Sequence, residues 1–141
     1  MADWDPEDWT RNLIADMRAH GGRPASGPMA GKPLAILTTT GAKTGEPRTA
    51  IVTYHEEGGR WAIAASKGGA PAHPAWFRNL EAHPEAVIEV DNRTVPVRAT
   101  IVTGPERDRL WNDHVAALPE FGEYPKKTDR VIPMILLERI D

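Results

Sequence analysis

Residues 41–48, GAKTGEPR, combine features that suit the binding of an anion. Two glycines permit a tight turn whose amides can point at an anion, and Lys43 and Arg48 flank the turn with positive charge. An ammonium acts as a point charge, whereas a guanidinium offers a planar fork that matches phosphate or carboxylate. The spacing is not that of a Walker P-loop. On this local pattern alone, a solvated hairpin turn with ordinary surface charges is the stronger interpretation.

Residues 64–79, AASKGGAPAHPAWFRN, could hold a flat ligand with polar edges. Small residues at the end of a strand let such a ligand approach the backbone, and Ser66 and Lys67 can hydrogen-bond its edge. The helix predicted next offers unpaired amides to an anion, Trp76 could stack on a ring, and Asn79 could bind a polar edge. The alternative is an ordinary helix cap, with Trp76 packed in the core as tryptophan usually is.

Residues 118–124, LPEFGEY, place Phe121 and Tyr124 three positions apart, so the two rings could line one wall of a pocket. Tyr124 is then a candidate proton donor. Packing of two aromatic rings beneath a loop explains the segment at least equally well.

Composition excludes several other kinds of chemistry. The chain has no cysteine, so disulfides, thiolate catalysis and iron–sulfur clusters are ruled out. Its five histidines lie in different predicted elements without HxxxH or HxH spacing, so we expect no metal site. A net charge of −3 argues against a nucleic-acid partner, and there is no GxSxG elbow of a hydrolase. Because no apolar run nears the roughly 20 residues of a membrane span and the N-terminus is acidic, we expect a cytoplasmic protein.

The elements that must position these segments form one mainly β domain of the α+β class. An N-terminal helix and linker, 1–33, precede the main part, 34–141. The helix, over 6–20, carries Trp9, Leu13, Ile14 and Met17 on one face. Because the connections between strands are short, the sheet should be mostly antiparallel and close, fully or partly, into a barrel with peripheral helices. Strands are predicted at 34–40, 49–55, 61–66, 87–90, 94–102 and 131–139, and further helices at 74–82 and 104–118.

Taken together, these segments resemble the deazaflavin-dependent nitroreductase family, whose members are reductases that use reduced coenzyme F420. The similarity covers 34–140 and is carried by TTTGAKTGEPR, AASKGGAPAHPAWFRNLEAHPE and the late TDRVIP. Each motif is weak alone, but their order and separation in one short chain are specific. The resemblance implies a split β-barrel that transfers a hydride from reduced coenzyme F420 to a small electron-poor acceptor, such as a quinone, a nitroaromatic or an activated enone.

The same resemblance implies roles for individual residues. The turn would bind the phosphate and acidic tail of the cofactor through Ala42, Lys43, Thr44, Gly45, Pro47 and Arg48. The remaining contacts to ring and tail would come from Ala64, Ser66, Lys67, Pro74, Ala75, Trp76 and Asn79. Well-known nitroreductases of the family carry a tyrosine at the position of Phe121, which has no hydroxyl. The candidate catalytic residues are Tyr124 and Ser66, with Phe121 and Tyr124 lining the substrate pocket and solvent as another proton source.

Several alternatives stay open at this point. The barrel could bind FMN as a flavin reductase or oxidase, although no second basic cluster for its phosphate is evident. The missing hydroxyl at Phe121 also keeps open a non-catalytic carrier or storage protein for coenzyme F420. Trp4 and Trp9 could touch a membrane surface, but their acidic neighbours oppose this on anionic lipids, and docking over the barrel is preferred. A homodimer is compatible with a small barrel, although no segment specifies an interface.

Overall fold

The computed structural model describes residues 6–25, 27, 29–69 and 72–140. Six strands close into a barrel in the order β1-β2-β3-β6-β5-β4, and each neighbouring pair is antiparallel. The strands are β1 (Leu34–Thr40), β2 (Pro47–Glu57), β3 (Arg60–Ala64), β4 (Glu85–Val90), β5 (Arg93–Val102) and β6 (Met134–Arg139). Around them lie α1 (Pro6–Ala19), α2 (Ala75–Ala82), α3 (Gly104–Ala117) and the 3₁₀ helices Lys67–Gly69 and Pro119–Lys126. The predicted antiparallel barrel with peripheral helices is confirmed.

The barrel interior is the main hydrophobic core, because alternate residues of each strand point inward. In β4 the alternation is regular, with Ala86, Ile88 and Val90 buried and Glu85 and Val87 exposed. Strand β1 is instead buried along most of its length, since a helix covers its outer face.

That helix is α1, whose residues Leu13, Ile14 and Met17 pack against the outward-facing side chains of β1. The predicted apolar face is therefore confirmed from Leu13 onward, and α1 docks on the barrel. It is wrong for Trp9, which is 43% exposed because it lies one turn before the part of α1 that reaches β1. Trp4 lies outside the described residues. Among the helices in the described part of the chain, none has the length and apolar character needed to cross a membrane.

Several strand ends differ from the predicted ones because pairing, rather than residue type, sets them. Strand β2 begins at Pro47 instead of residue 49, since its ladder with β1 extends two residues further into the turn. Strands β3 and β6 end their ladder at the Ala64–Met134 pair, so β3 stops earlier and β6 starts later than predicted. The β4–β5 hairpin turns on Asp91 and Asn92 alone, whose φ angles of 49° and 59° suit a two-residue turn.

The barrel wall has a gap beside β2. Residues 47–53 of β2 pair with β1 on one side, but β3 pairs only with residues 54–57 on the other. Helix α2 packs at this gap, with Phe77 and Leu80 buried in the barrel core and Trp76 against it. The space between the unpaired edge of β2 and α2 forms a cleft.

Candidate functional site

The cleft between β2 and α2 has a volume of about 550 Å³, which is typical of a small-molecule site. Among the described residues, three basic side chains line it, Lys43, Arg48 and Arg78, and no acidic one does. Because the whole chain carries a net charge of −3, this lining is a local reversal of charge that favours an anionic ligand. The rest of the lining is small, polar or aromatic: Thr39, Gly41, Ala42, Thr44, Thr49, Ala50, Ala75, Trp76 and Asn79.

The turn between β1 and β2 is closed largely by its own backbone. The Gly41 amide donates to the Glu46 carbonyl (2.8 Å), and the Gly45 amide donates to the Gly41 carbonyl (2.9 Å). The Glu46 amide donates to the Thr44 hydroxyl oxygen (3.2 Å), which leaves the Thr44 hydroxyl proton available. A Cβ at position 41 would lie 2.7 Å from the Thr44 hydroxyl oxygen and 3.1 Å from the Glu46 carbonyl oxygen, so a larger residue there would displace the Thr44 hydroxyl.

Asn79 fastens this turn to α2. Its side chain is 8% exposed; Oδ1 accepts a hydrogen bond from the Ala42 amide (2.9 Å), and Nδ2 donates to the Thr39 hydroxyl (3.0 Å). Both ends of the side-chain amide are thus engaged by β1 and its turn, so Asn79 holds the cleft wall in place. In this turn, the amides of Lys43 and Thr44 make no hydrogen bond within the described residues, so they can meet an outside anion.

The basic side chains of the cleft form only weak ion pairs with carboxylates of the protein. The Arg48 side chain is 56% exposed, and its contact with Glu46 is 3.8 Å long. Arg78 donates to Glu81 (2.7 Å) in an exposed ion pair, and Lys43 is exposed. Because exposed ion pairs contribute little free energy, these cations can turn toward a ligand.

Trp76 supplies the flat surface of the cleft. Its half-buried ring packs against the barrel core and also lines the cleft. Trp76 therefore packs as a core residue and also offers one face to a ligand in the cleft. Ala75 begins α2 and is exposed, while the buried Pro74 precedes the helix in an extended conformation. The first turn of α2 contains no acidic residue, so the positive end of its dipole faces the cleft uncompensated.

The other predicted cofactor residues lie outside the cleft lining. Gly45 and Pro47 line a neighbouring groove of about 350 Å³ at the ends of β1 and β2. Ala64 and Ser66 are buried at the end of β3, with 8% and 7% exposed. Lys67 is exposed just beyond them, in a left-handed backbone conformation with a φ of 47°.

The predicted substrate residues lie on the 3₁₀ helix Pro119–Lys126, an element that the sequence analysis did not predict. Phe121 is 6% exposed and packs in a second core beside β3 and α3. Its ring meets the half-buried Tyr124 ring edge-on at a centroid distance of 5.1 Å. The Tyr124 carbonyl lies close to Gly69, where a Cβ would be 3.1 Å away, so Tyr124 borders the loop that follows Ser66. Phe121 is therefore a core residue, and Tyr124 and the Ser66 loop are neighbours.

Beneath Phe121 lies a buried polar chain that the sequence analysis missed. The Nδ1 atoms of His55 and His114 are 2.7 Å apart, so one ring donates and the other accepts. His55 Nε2 contacts Glu57 (3.0 Å), which also accepts from Arg109 (3.0 Å). Burial, and then the charge of His55, lower the pKa of His114 to about 3. The hydrogen bonds from Arg109 and His55 lower the pKa of Glu57.

His114 Nε2 is buried and has no hydrogen-bond partner within the described residues, and the Phe121 ring meets the His114 ring edge-on at 4.5 Å. Because the two histidines are 59 positions apart, no local spacing could reveal the pair. In the described part of the chain, no three potential ligands gather in a way that could hold a metal ion.

A family model and relatives at 36–40% identity show which proteins this chain resembles. The family model for F420H(2)-dependent quinone reductase matches residues 9–139. An F420H(2)-dependent quinone reductase of Mycobacterium tuberculosis is 40% identical over 112 residues, which cover 76% of this chain and 74% of the relative. A solved F420-H2 dependent reductase has 40% identity and a TM-score of 0.69, and the match covers 75% of this chain and 94% of that one. A solved domain-swapped dimer has 36% identity and a TM-score of 0.71, over 95% of this chain and 100% of the other.

The residues matched by the family model contain all six strands, the turn that borders the cleft, and α2. The resemblance drawn from the sequence motifs is confirmed, together with the split-barrel fold, the oxidoreductase class and the dependence on coenzyme F420. The chain belongs to the family of F420H(2)-dependent quinone reductases.

Proposed function

We propose that this oxidoreductase transfers a hydride from reduced coenzyme F420 to a quinone-type acceptor and holds the anionic part of the cofactor in the cleft between β2 and α2. The observation that carries the cleft assignment is its charge, because the lining holds Lys43, Arg48 and Arg78 and no carboxylate. The cofactor carries a phosphodiester and a glutamate tail, which are anions at neutral pH. The donors of the cleft therefore fit this group.

Arg48 and the neighbouring amides are the proposed phosphate contacts. A guanidinium can bind two phosphate oxygens at once. The exposed Arg48 side chain would give up only its long contact with Glu46 (3.8 Å) in order to bind phosphate. The consecutive amides of Lys43 and Thr44 add donors to the same anion, in the manner of a backbone nest. Lys43 and Arg78 then face the acidic tail on either side of the cleft.

Reduced coenzyme F420 supplies the hydride when it is bound. The chain contributes orientation, exclusion of water and a proton. Trp76 offers an apolar face to the bound molecule, and Ala64, Ser66 and Lys67 remain the predicted ring contacts. A quinone that has accepted a hydride also needs a proton, for which Tyr124 is the predicted donor and Ser66 the second candidate.

Titration of purified protein with oxidised coenzyme F420, followed by fluorescence, tests the cleft assignment. We expect saturable binding at micromolar concentration or tighter, weakened about 10- to 100-fold in Arg48→Ala, because a charge-assisted hydrogen bond is worth about 1.5–3 kcal/mol. The matched control is Arg98→Ala on β5, an arginine of similar exposure (60%) that pairs with Glu85 away from the cleft. Its affinity should equal that of the wild type. Equal affinity of Arg48→Ala and Arg98→Ala would refute the role of Arg48.

Oxidation of reduced coenzyme F420 in the presence of a soluble benzoquinone tests the reaction itself. Turnover with the quinone separates the enzyme from a non-catalytic carrier, which would bind the cofactor tightly and reduce no acceptor. Nitroaromatic and enone acceptors, assayed in the same way, define the range of acceptors that the enzyme reduces. The absorption spectrum of the purified protein distinguishes bound FMN from coenzyme F420.

Two further expectations remain proposals. One similar solved protein, at 36% identity, is a domain-swapped dimer, which supports a homodimer for this chain as well. Light scattering after size-exclusion chromatography measures the mass and decides between one copy and two. The cytoplasmic location inferred from composition is checked by cell fractionation.

A further inference from the structure

Arg130 joins the two ends of the loop between β3 and α2. Its guanidinium donates to the Ala65 carbonyl (3.0 Å) and to the Ser66 carbonyl (2.6 Å) at the start of the loop. The same guanidinium contacts His73 Nδ1 (2.7 Å), just before α2 begins. One side chain from the segment that leads into β6 therefore holds both the exit of β3 and the entrance to α2.

Apart from the packing of Gly69 against Tyr124 and Lys127, few contacts of the described residues order the start of this loop. Ala65 is the last residue bound to the neighbouring strand segment, through the Pro133 carbonyl (2.9 Å). Within the described residues, the Ser66 carbonyl accepts one backbone amide, that of Gly69 (3.0 Å). Lys67 then adopts a left-handed conformation that is unfavourable for a side chain with a Cβ. The planar fork of an arginine can satisfy two successive carbonyls together, which a lysine ammonium cannot do with the same geometry.

His73 is a conditional partner for Arg130. Its Nδ1 can accept a hydrogen bond from the guanidinium only while that nitrogen carries no proton. The charged groups that face His73 are Arg130 and Arg78, which oppose its protonation, and Glu81, which favours it. Burial is the largest cause of its lowered pKa, and its ring packs against Phe77 at a centroid distance of 4.9 Å. At neutral pH the contact is therefore intact, and acid converts it into a repulsion between two cations.

We propose that Arg130 is a positioning residue for the predicted ring-binding residues Ser66 and Lys67, and that its contact with neutral His73 makes cofactor affinity depend on pH. The part of this inference that concerns affinity rests on the proposed function. The part that concerns loop order does not, because it can be measured without cofactor.

The variants separate the bonds of Arg130 to the two carbonyls from its contact with His73. Arg130→Met removes all donors, whereas Arg130→Lys keeps the charge but reaches one carbonyl at a time. His73→Asn keeps an acceptor near the place of Nδ1 and cannot be protonated, while His73→Leu removes the acceptor. Circular dichroism and thermal unfolding establish which variants remain folded. Arg130→Lys and His73→Asn, as the conservative changes, keep the test informative if the other two unfold.

Hydrogen–deuterium exchange of the protein without cofactor reports on loop order. We expect faster exchange around Ser66 and His73 in Arg130→Met, with Arg130→Lys between it and the wild type and no change in the β4–β5 hairpin. Calorimetric titration with oxidised coenzyme F420 reports on positioning. If the loop adopts its binding-competent arrangement about one tenth of the time, the Kd rises about tenfold.

The pH dependence distinguishes this role from general stabilisation. As the pH falls below neutrality, the affinity of the wild type should fall more steeply than that of His73→Asn, because only the wild type can gain a proton beside Arg130. Identical pH profiles, or unchanged exchange and affinity in the Arg130 variants, would overturn the inference while the proposed function stands. Absence of binding by the wild type at every pH would instead overturn the proposed function and the positioning role that rests on it.

Discussion

Replacement of Asn79 by alanine is expected to loosen the turn that lines the cleft. The substitution removes the hydrogen bond from the Ala42 amide (2.9 Å) and the one to the Thr39 hydroxyl (3.0 Å). Each contributes about 1 kcal/mol, and up to about 1 kcal/mol more is lost because Thr39, which is 2% exposed, cannot turn to water. Thr39 keeps a long contact with the Arg48 carbonyl (3.5 Å), which limits that last cost. The expected loss of unfolding free energy is therefore about 2–3 kcal/mol.

Denaturant unfolding followed by tryptophan fluorescence measures this loss, and thermal unfolding should show a decrease of roughly 6–9 °C in Tm. The matched control is Glu81→Ala on the same helix, whose exposed pair with Arg78 should change stability by less than about 0.5 kcal/mol. The variant Asn79→Asp separates the effect of the lost hydrogen bonds on stability from the effect of charge on cofactor binding. It keeps an acceptor for the Ala42 amide and an acceptor for the Thr39 hydroxyl, but it places a negative charge at the cleft.

Asn79→Asp should thus retain most of the stability and lose cofactor affinity at least about tenfold, since like charges oppose binding. Asn79→Ala should lose both. A stability of Asn79→Ala within about 0.5 kcal/mol of the wild type would show that the two hydrogen bonds do not hold the turn. Equal cofactor affinity of Asn79→Asp and the wild type would show that the anion binds elsewhere.

Two further predictions concern the scaffold. Gly22→Ala should cost at least about 3 kcal/mol, because its Cβ would lie 2.7 Å from the Cα of Asp91 in the β4–β5 turn. Gly21→Ala, at a glycine that also has a positive φ (73°, against 104° at Gly22) but open space around it, should cost only about 1 kcal/mol. Chemical denaturation of both variants checks the difference, and equal costs would contradict the steric argument. The neutral His114 binds no proton in the fold above its pKa of about 3, whereas the unfolded chain takes one up below the ordinary value of 6.5. Stability should therefore fall as the pH falls from 6.5 toward 3, by up to about 1.4 kcal/mol per pH unit from this group, and His114→Asn should flatten that slope; parallel slopes of variant and wild type would refute the assignment.

Phe121 and Tyr124 differ in whether they can donate a proton to the reduced acceptor. Phe121 packs on His114 inside the core, so the missing hydroxyl is accommodated without an unpaired polar group. Tyr124 keeps its hydroxyl on a half-buried ring beside the Ser66 loop, with the Lys127 ammonium 5.8 Å above the ring. Tyr124 stays the predicted proton donor of the proposed reaction, since the phenyl ring of Phe121 has no proton to donate.

Several features of this protein could be predicted from the sequence because they depend only on residues that are close together along the chain. The positive charge and conformational freedom of the 41–48 turn, the apolar face of α1 from Leu13 onward, and the short connections that require antiparallel pairing are all local properties. The order of three weak motifs then identified the family and its cofactor, which the family comparison confirms. The sequence left two interpretations open for Trp76, packing in the core and stacking on a ligand; its ring packs against the core and also lines the cleft, and the ligand contact stays a prediction.

Only the tertiary structure decided which distant side chains meet. Asn79 was expected to contact a ligand, yet its amide is engaged by the turn, and the histidines, which seemed scattered, include a buried pair. The separations along the chain are 37 residues for Ala42 and Asn79, 59 for His55 and His114, and 65 for Ala65 and Arg130. Such contacts depend on the register of the barrel strands and on how α2, α3 and the 3₁₀ helix cross them. No local periodicity encodes a partner that far along the chain, because the contact depends on how the elements of the whole barrel pack together.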